Sequence, residues 1–298
     1  MKHKNQHYIP ASYLNAWCDP NIPKGHQPYV WQFSQDGNQI KKKAPRKIFH
    51  EKDLYTTYEE DGQRNLSLEY NLSRLEGEFS RIRKKKLSGQ LALSSQERMI
   101  LCMFTVAMYG RTKAYGEHWS QQWGQMLELG ERIQGYMENA SPEDRARAVS
   151  ALSTHDPKKE DHLTLEEVRA LVDHPIPASL PSLVSEISPM LFRLPMVILE
   201  ANDDIGFITS DAPCVWYDPA VYENPSPPGA GGLVSPTLEI TLPISSRQML
   251  FFGKKLILER VYLPILDQSI IDNLNKRTRV KSYEYFVTKK PFVKLAWF

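Results

Sequence analysis

Pro195-Met196-Val197-Ile198-Leu199-Glu200, followed by Asn202-Asp203-Asp204 and Gly206-Phe207-Ile208-Thr209-Ser210-Asp211-Ala212-Pro213, marks the point where the chain changes period. Upstream, apolar residues recur at helical steps. Leu68, Leu72, Leu75, Phe79 and Ile82 make one stripe, which predicts a helix over about 66–86. Ser94-Ser95-Gln96-Glu97 has the form of a capping box and predicts a second helix running past Trp123, with a bend near Gly110 or Gly116. From Pro195 onward the spacing is that of strands. Met196–Glu200 and Gly206–Ser210 are expected to form a hairpin around the Asn-Asp-Asp turn. Strands are also expected at Leu238–Leu242, Gln248–Phe252, Leu256–Tyr262 and Tyr283–Thr288, with a helix near 267–280. Near the amino end, Tyr29, Trp31 and Phe33 alternate ahead of Asp36-Gly37, a favoured hairpin turn. Strands at both ends and helices between them predict an α+β fold: an antiparallel or mixed sheet from N- and C-terminal strands, packed on central helices. One domain covering 1–298 is expected, with 140–177 a helical insertion and 217–236, rich in proline and glycine, a mobile loop.

Composition removes several classes of function. The 298 residues are 41% hydrophobic and 24% charged with a net charge of +2, which is ordinary for a globular protein and gives no global bias toward nucleic acid. Cys18, Cys102 and Cys214 are too few and too scattered for a disulfide framework or a thiolate zinc cluster, and a reducing cytoplasm is the expected location. No apolar run approaches the ~20 residues of a membrane helix, and the polar amino end does not read as a signal peptide. Lys41–Lys43 with Arg46-Lys47, and Arg81–Lys86, are local basic runs through which RNA or DNA could be held.

Four ionisable residues interrupt apolar patterns in distant segments. Arg111 continues the stripe Leu101, Phe104, Met108, so a guanidinium falls where the core is expected. Burying it is costly unless a carboxylate or phosphate pairs with it. Glu76, two turns beyond Glu69 on the edge of the 68–82 stripe, could reach the same cleft. His7, in a segment that Pro10 keeps extended, titrates near neutrality and suits a general acid, general base or metal ligand. Asp211 closes a strand ahead of Ala212-Pro213, a position suited to holding a metal, activating water or accepting turn amides. Ser210 stands in no Gly-x-Ser-x-Gly elbow, and no His-Glu-x-x-His, phosphate-binding loop or dinucleotide fingerprint occurs. His155-Asp156 and Asp161-His162 have some metal-ligand flavour within a charged loop.

Gln6-His7-Tyr8-Ile9-Pro10 with Tyr13-Leu14, Glu51-Lys52-Asp53-Leu54-Tyr55, Arg111-Thr112, Phe207–Pro213, Leu242-Pro243-Ile244-Ser245 and Asn275 appear in the order found in an uncharacterised, mainly bacterial family, domain of unknown function 4238, which the chain resembles over nearly its whole length. Ala212 departs from the family's usual asparagine before the second proline. The resemblance brings no established reaction. Its genomic associations imply a phage-defence or toxin-type effector with a partner protein from the same operon. The residues admit three expectations. The first is a metal-dependent nuclease or other phosphoester hydrolase. In it His7, Glu76, Arg111 and Asp211 do the chemistry, Glu76 and Asp211 hold Mg²⁺ or Mn²⁺, and Gln6, Ser210 and Asn275 line the substrate site. The second is a non-catalytic sensor or binding module for a nucleotide, nucleic acid or phage component. The third is a buried polar network that ties the amino terminus to the sheet.

Overall fold

Helix dominates the middle of the chain and strands its two ends, and with about 51% of the described residues helical and 18% in strands the class is α+β. The computed structural model describes residues 5–298 apart from 20, 24, 60, 153–162, 224–231 and 257–259. Strand β1 (Asn5–His7) leads into one helical turn, α1 (Ala11–Leu14), which Pro10 opens. The predicted amino-terminal hairpin is present as β2 (Val30–Ser34) and β3 (Ile40–Lys43), turned by Gly37 at a φ of +76°. β4 (His50–Lys52) lies antiparallel to β1 and sets His50 opposite His7. Two short strands, β5 (Thr57–Tyr58) and β6 (Arg64–Asn65), pair before α2 (Ser67–Lys85), whose last turn carries Arg83, Lys84 and Lys85 at the negative end of the helix dipole.

The capping box forms as expected: the Ser94 hydroxyl accepts the Glu97 amide, and the Glu97 carboxylate accepts the Ser94 amide. The helix it opens, α3 (Ser95–Gly110), does not run past Trp123. It stops at Gly110, and α4 (Lys113–Asn139) begins afresh. The break has a local cause, because the Thr112 hydroxyl accepts the Tyr115 amide and caps a new helix. Arg111 occupies the turn between the two, so the apolar stripe of α3 is not continued by α4. α5 (Pro142–Leu152) and α6 (Leu165–Asp173) occupy the expected helical insertion, and α7 (Pro175–Arg193) starts within it. α6 packs along α4 and α7 along α3. His155, Asp156, Asp161 and His162 lie outside the described residues, as do 224–231 of the expected mobile loop.

β7 (Met196–Ala201) is the expected first strand, but its hairpin with 206–210 does not form. β8 (Thr209–Ser210) joins a different sheet. The physical reason lies at Gly206, whose φ is +69° and whose α-carbon passes so close to the Ser246 carbonyl that a Cβ would sit 1.7 Å from its oxygen. That approach, with the Phe207 amide bonded to the Ser246 carbonyl, carries the chain away from β7. β9 (Val215–Tyr217), the short α8 (Pro219–Glu223), β10 (Glu239–Pro243), β11 (Gln248–Gly253), β12 (Tyr262–Ile265), α9 (Gln268–Lys281) and β13 (Tyr285–Thr288) complete the order.

Two main sheets result where one was expected. The larger runs β12-β7-β11-β10-β9, with β7 and β12 parallel and the other pairs antiparallel. The smaller, β3-β2-β13-β8, is where amino- and carboxy-terminal strands meet. The near-continuous apolar run of β7 suits a strand covered on both faces. Ile198 faces the core built with Phe79, Phe104 and Met108, whereas Val197 and Leu199 pack with Ile271 and Leu274 of α9. Phe79 and Phe104 stack with centroids 3.7 Å apart, and fully burying each such side chain contributes about 1.5–3 kcal/mol. Among the described residues, no helix is long and apolar enough to cross a membrane.

Candidate functional site

Arg111 is the centre of a closed polar cluster. Only 2% of it is exposed, and each part of its guanidinium has a partner. Nε donates to the Tyr55 hydroxyl at 3.1 Å, Nη1 to Glu76 Oε1 at 2.8 Å, and Nη2 to the backbone carbonyl of His7. The Tyr55 hydroxyl in turn donates to the same carbonyl at 3.2 Å. Burial works against the charge on Arg111, but Tyr55 and Glu76 outweigh it and hold the guanidinium protonated. Gln6 extends the cluster: it is fully buried, donates to the Thr56 hydroxyl at 3.0 Å and accepts the Tyr55 amide. Thus Gln6, expected to line a substrate site, and Arg111, expected to take part in the chemistry, fasten β1 to the 53–56 turn and to α2. The break between α3 and α4 is what delivers Arg111 to this position.

His7 enters the cluster through its main chain, and its ring points elsewhere. The imidazole lies edge-on to His50 with centroids 5.2 Å apart. Nε2 is buried with no hydrogen-bond partner, while the ring bonds to the Arg46 backbone. Burial first, then the neighbouring His50, lowers its pKa, so the ring is neutral at neutral pH. Phe49 and Asp53, which flank β4, both hold left-handed backbone (φ 58° and 56°), a conformation costly for a residue with a bulky side chain.

Asp211 belongs to a second set of bonds. Its carboxylate is 2% exposed and accepts the amides of Tyr283 at 2.7 Å, Glu284 at 2.7 Å and Tyr285 at 2.8 Å, which positions the start of β13. Burial raises its pKa to about 6, with the three amides opposing the rise. Ser210 is buried and its hydroxyl accepts the Ala212 amide, a turn bond. Asn275 is also buried. It accepts the Ile208 amide at 3.0 Å and donates to the Gly206 carbonyl at 2.9 Å, bracing the strand that leads to Asp211. The ends of the chain do meet here, since the Trp17 indole donates to the Phe207 carbonyl and the Tyr13 hydroxyl contacts Thr209. They meet in packed core. Glu76 and Asp211 therefore have separate tasks, and among the described residues no group of three or more His, Cys, Asp or Glu is placed to hold a metal ion.

Three concavities bear on function. One, about 870 Å³ beside α9 and β12, is walled mainly by apolar side chains; its Arg277 and Glu239 pair with each other, and its Asp267 caps α9. A polar cleft of about 470 Å³ beside β4 holds Glu51, Asp53 and Glu117, but these are bound to Lys113, Arg64 and the Tyr283 hydroxyl. The third, about 590 Å³, lies on the other side of the Arg111–Thr112 break. Tyr109, Tyr115, Trp119 and Trp216 form its aromatic wall, Ala212 and Cys214 lie on the chain just past Asp211, and His118 and Lys281 supply polar groups. Tyr109 stacks on Trp216 with centroids 4.8 Å apart, and Tyr115 meets Tyr109 edge-on at 5.6 Å and Trp119 at 6.0 Å. Its size and lining are those of a small-molecule site. Asn in place of Ala212 would have put an amide on this wall. Sequence pattern did not point to Tyr109, Trp119, Trp216 or Lys281, although aromatic residues at steps of four along α4 (Tyr115, Trp119, Trp123) were a usable signal.

The family model described as Protein of unknown function (DUF4238) matches residues 5–291, and the chain belongs to that family. The chain matches no curated protein. Nor does it match a solved structure.

Proposed function

We propose that this protein is a binding module for a nucleotide, whose base enters the aromatic cavity between α4 and β9 and whose phosphate is met by Lys281. One observation carries the proposal: the cavity is hollow and aromatic with Lys281 at its edge, a cation that forms no salt bridge among the described residues, whereas the ionisable side chains that suggested chemistry are engaged with backbone or with one another. A planar heterocycle stacked on such a wall gains about 1–3 kcal/mol per base, and the stack tolerates different bases. Ala212 keeps that wall apolar, which favours stacking over hydrogen-bonded reading of the base. Titrating nucleoside triphosphates and monophosphates against tryptophan fluorescence tests the proposal. Quenching and a rise in melting temperature are expected, both weakened by Lys281→Ala. Absence of either response to every nucleotide would count against it. The defence setting implied by the family is part of the proposal, and Lys281→Ala is expected to abolish protection in a plaque assay on cells carrying the intact operon.

A second reading, a metal-dependent nuclease or other phosphoester hydrolase, has its own supporting observation. His7 is held neutral by burial, with one ring nitrogen unpartnered, the state required of a general base. This reading assigns Mg²⁺ or Mn²⁺ to Glu76 and Asp211, which would first have to exchange Arg111 and the backbone amides for the metal. Incubation with RNA and DNA in the presence of either cation decides it: cleavage that disappears in His7→Ala supports hydrolysis, and no cleavage in the wild type removes it.

A further inference from the structure

Beyond the cavity, α4 carries a second feature. Tyr115, Trp119, Gln122, Met126, Leu129, Ile133 and Tyr136 follow one another at steps of four and three without interruption. That strict period of 3.5 is the one that keeps a seam facing a partner helix along its whole length. It spans about 33 Å of helix. Among the described residues the fold uses only its first two members, Tyr115 and Trp119, which line the cavity. α6 and α7 pack on one flank of α4 beside the seam, where a Cβ on Gly116 would touch Ile176, a Cβ on Gly130 would touch Leu165, and Ser120 bonds to the Val172 carbonyl. Along the seam, Met126 is 57% exposed, Leu129 55%, Ile133 48% and Tyr136 61%. Four large apolar side chains in register on one surface are more than the scattered singles normal for a monomer.

We propose that a second copy of this chain covers the seam, so that the protein is a homodimer through paired α4 helices. Knobs at a 3.5-residue repeat call for holes on another helix, not for a flat or extended partner. The charges beside the seam decide among helical partners. His118, Gln125 and Arg132 border its solvent side, and Glu131 is already bound to Arg169. A solvent flank so nearly neutral offers no purchase to an acidic or basic partner, and brought against itself it creates no like-charge row. A symmetric pair also makes one patch serve both partners, the usual solution for a closed dimer. Gln122, the single polar residue in the seam, would set the register, the role a lone polar residue commonly plays in such interfaces.

The proposal does not rest on nucleotide binding, although Tyr115 and Trp119 belong to both features. Met126 and Ile133 line no part of the cavity, so their variants separate the two. Light scattering coupled to gel filtration of the full chain is expected to give twice the 34.3 kDa chain mass. The double variant Met126→Glu/Ile133→Glu is expected to elute as a monomer with an unchanged circular-dichroism spectrum and unchanged nucleotide response. Leu263→Glu, in the apolar concavity beside β12, should remain dimeric. A monomeric wild type would overturn the proposal. So would a dimer that survives the double substitution, or one lost in Leu263→Glu instead, since either would place the interface elsewhere.

Discussion

On one side of the Arg111–Thr112 break the protein is full, and on the other it is hollow. The full side gathers Gln6, Tyr55, Glu76, Arg111 and the His7 carbonyl into a cluster in which each guanidinium nitrogen has found an acceptor. The hollow side sets four aromatic rings around about 590 Å³ and leaves Lys281 at the edge. Polar groups buried by folding must be satisfied there and then, because an unpaired one costs about 1–3 kcal/mol. A residue that looks reactive in the sequence can therefore be the one most completely spent on structure. The surface kept for a ligand needs less of this. Rigid aromatic walls cost little to leave unpaired, and they are ready to stack.

Breaking the full side should cost stability, and breaking the hollow side should cost binding. The largest effect is expected for Gly206→Ala, where a left-handed φ and a carbonyl 1.7 Å from the new Cβ leave no room, and expression tests should show loss of folded protein. Arg111→Met leaves Glu76 without its guanidinium and takes a donor from the Tyr55 hydroxyl and the His7 carbonyl, and chemical denaturation is expected to show a loss of about 3–5 kcal/mol. Asn275→Leu removes the partners of the Ile208 amide and the Gly206 carbonyl, for about 1–3 kcal/mol on the same measurement. Trp119→Ala, by contrast, should leave the melting temperature within a few degrees of wild type while nucleotide quenching is lost. The smallest effect concerns pH. The folded pKa of His7 lies below its ordinary value, so its contribution to stability is present above about pH 6.5 and is lost as pH falls and the unfolded chain takes up the proton first. His7→Gln should flatten that acid limb of the melting curve. An unchanged limb would show that the ring is not buried as described.

Much of the fold was legible because it is written in short-range pattern. The 68–82 stripe, the Ser94–Glu97 box, the Asp36-Gly37 turn and the apolar run of β7 each depend on neighbours a few residues apart, and all are realised. What could not be read locally was decided by contacts between distant segments. The hairpin expected across Asn202–Asp204 failed because the Ser246 carbonyl draws 206–207 away from β7. The helix expected to pass Gly110 broke because Thr112 caps a new one. For the site, the pairing of Arg111 with Glu76 was within reach of the sequence, since a buried guanidinium demands a carboxylate. The task of Asp211 was not, because its three amide partners come from residues 283–285, at the start of β13 and more than seventy residues on. The cavity was invisible for a related reason: its walls come from α4, α9 and the strand after Pro213, and nothing in any one segment announces an empty space between them.

The most direct test sets the two regions against each other in one experiment, a nucleotide titration followed by tryptophan fluorescence on wild type, His7→Ala and Lys281→Ala. Retained affinity in His7→Ala with at least a tenfold loss in Lys281→Ala is the predicted result. The reverse order, with His7 essential and Lys281 dispensable, would contradict the assignment and return the working site to the amino-terminal histidine.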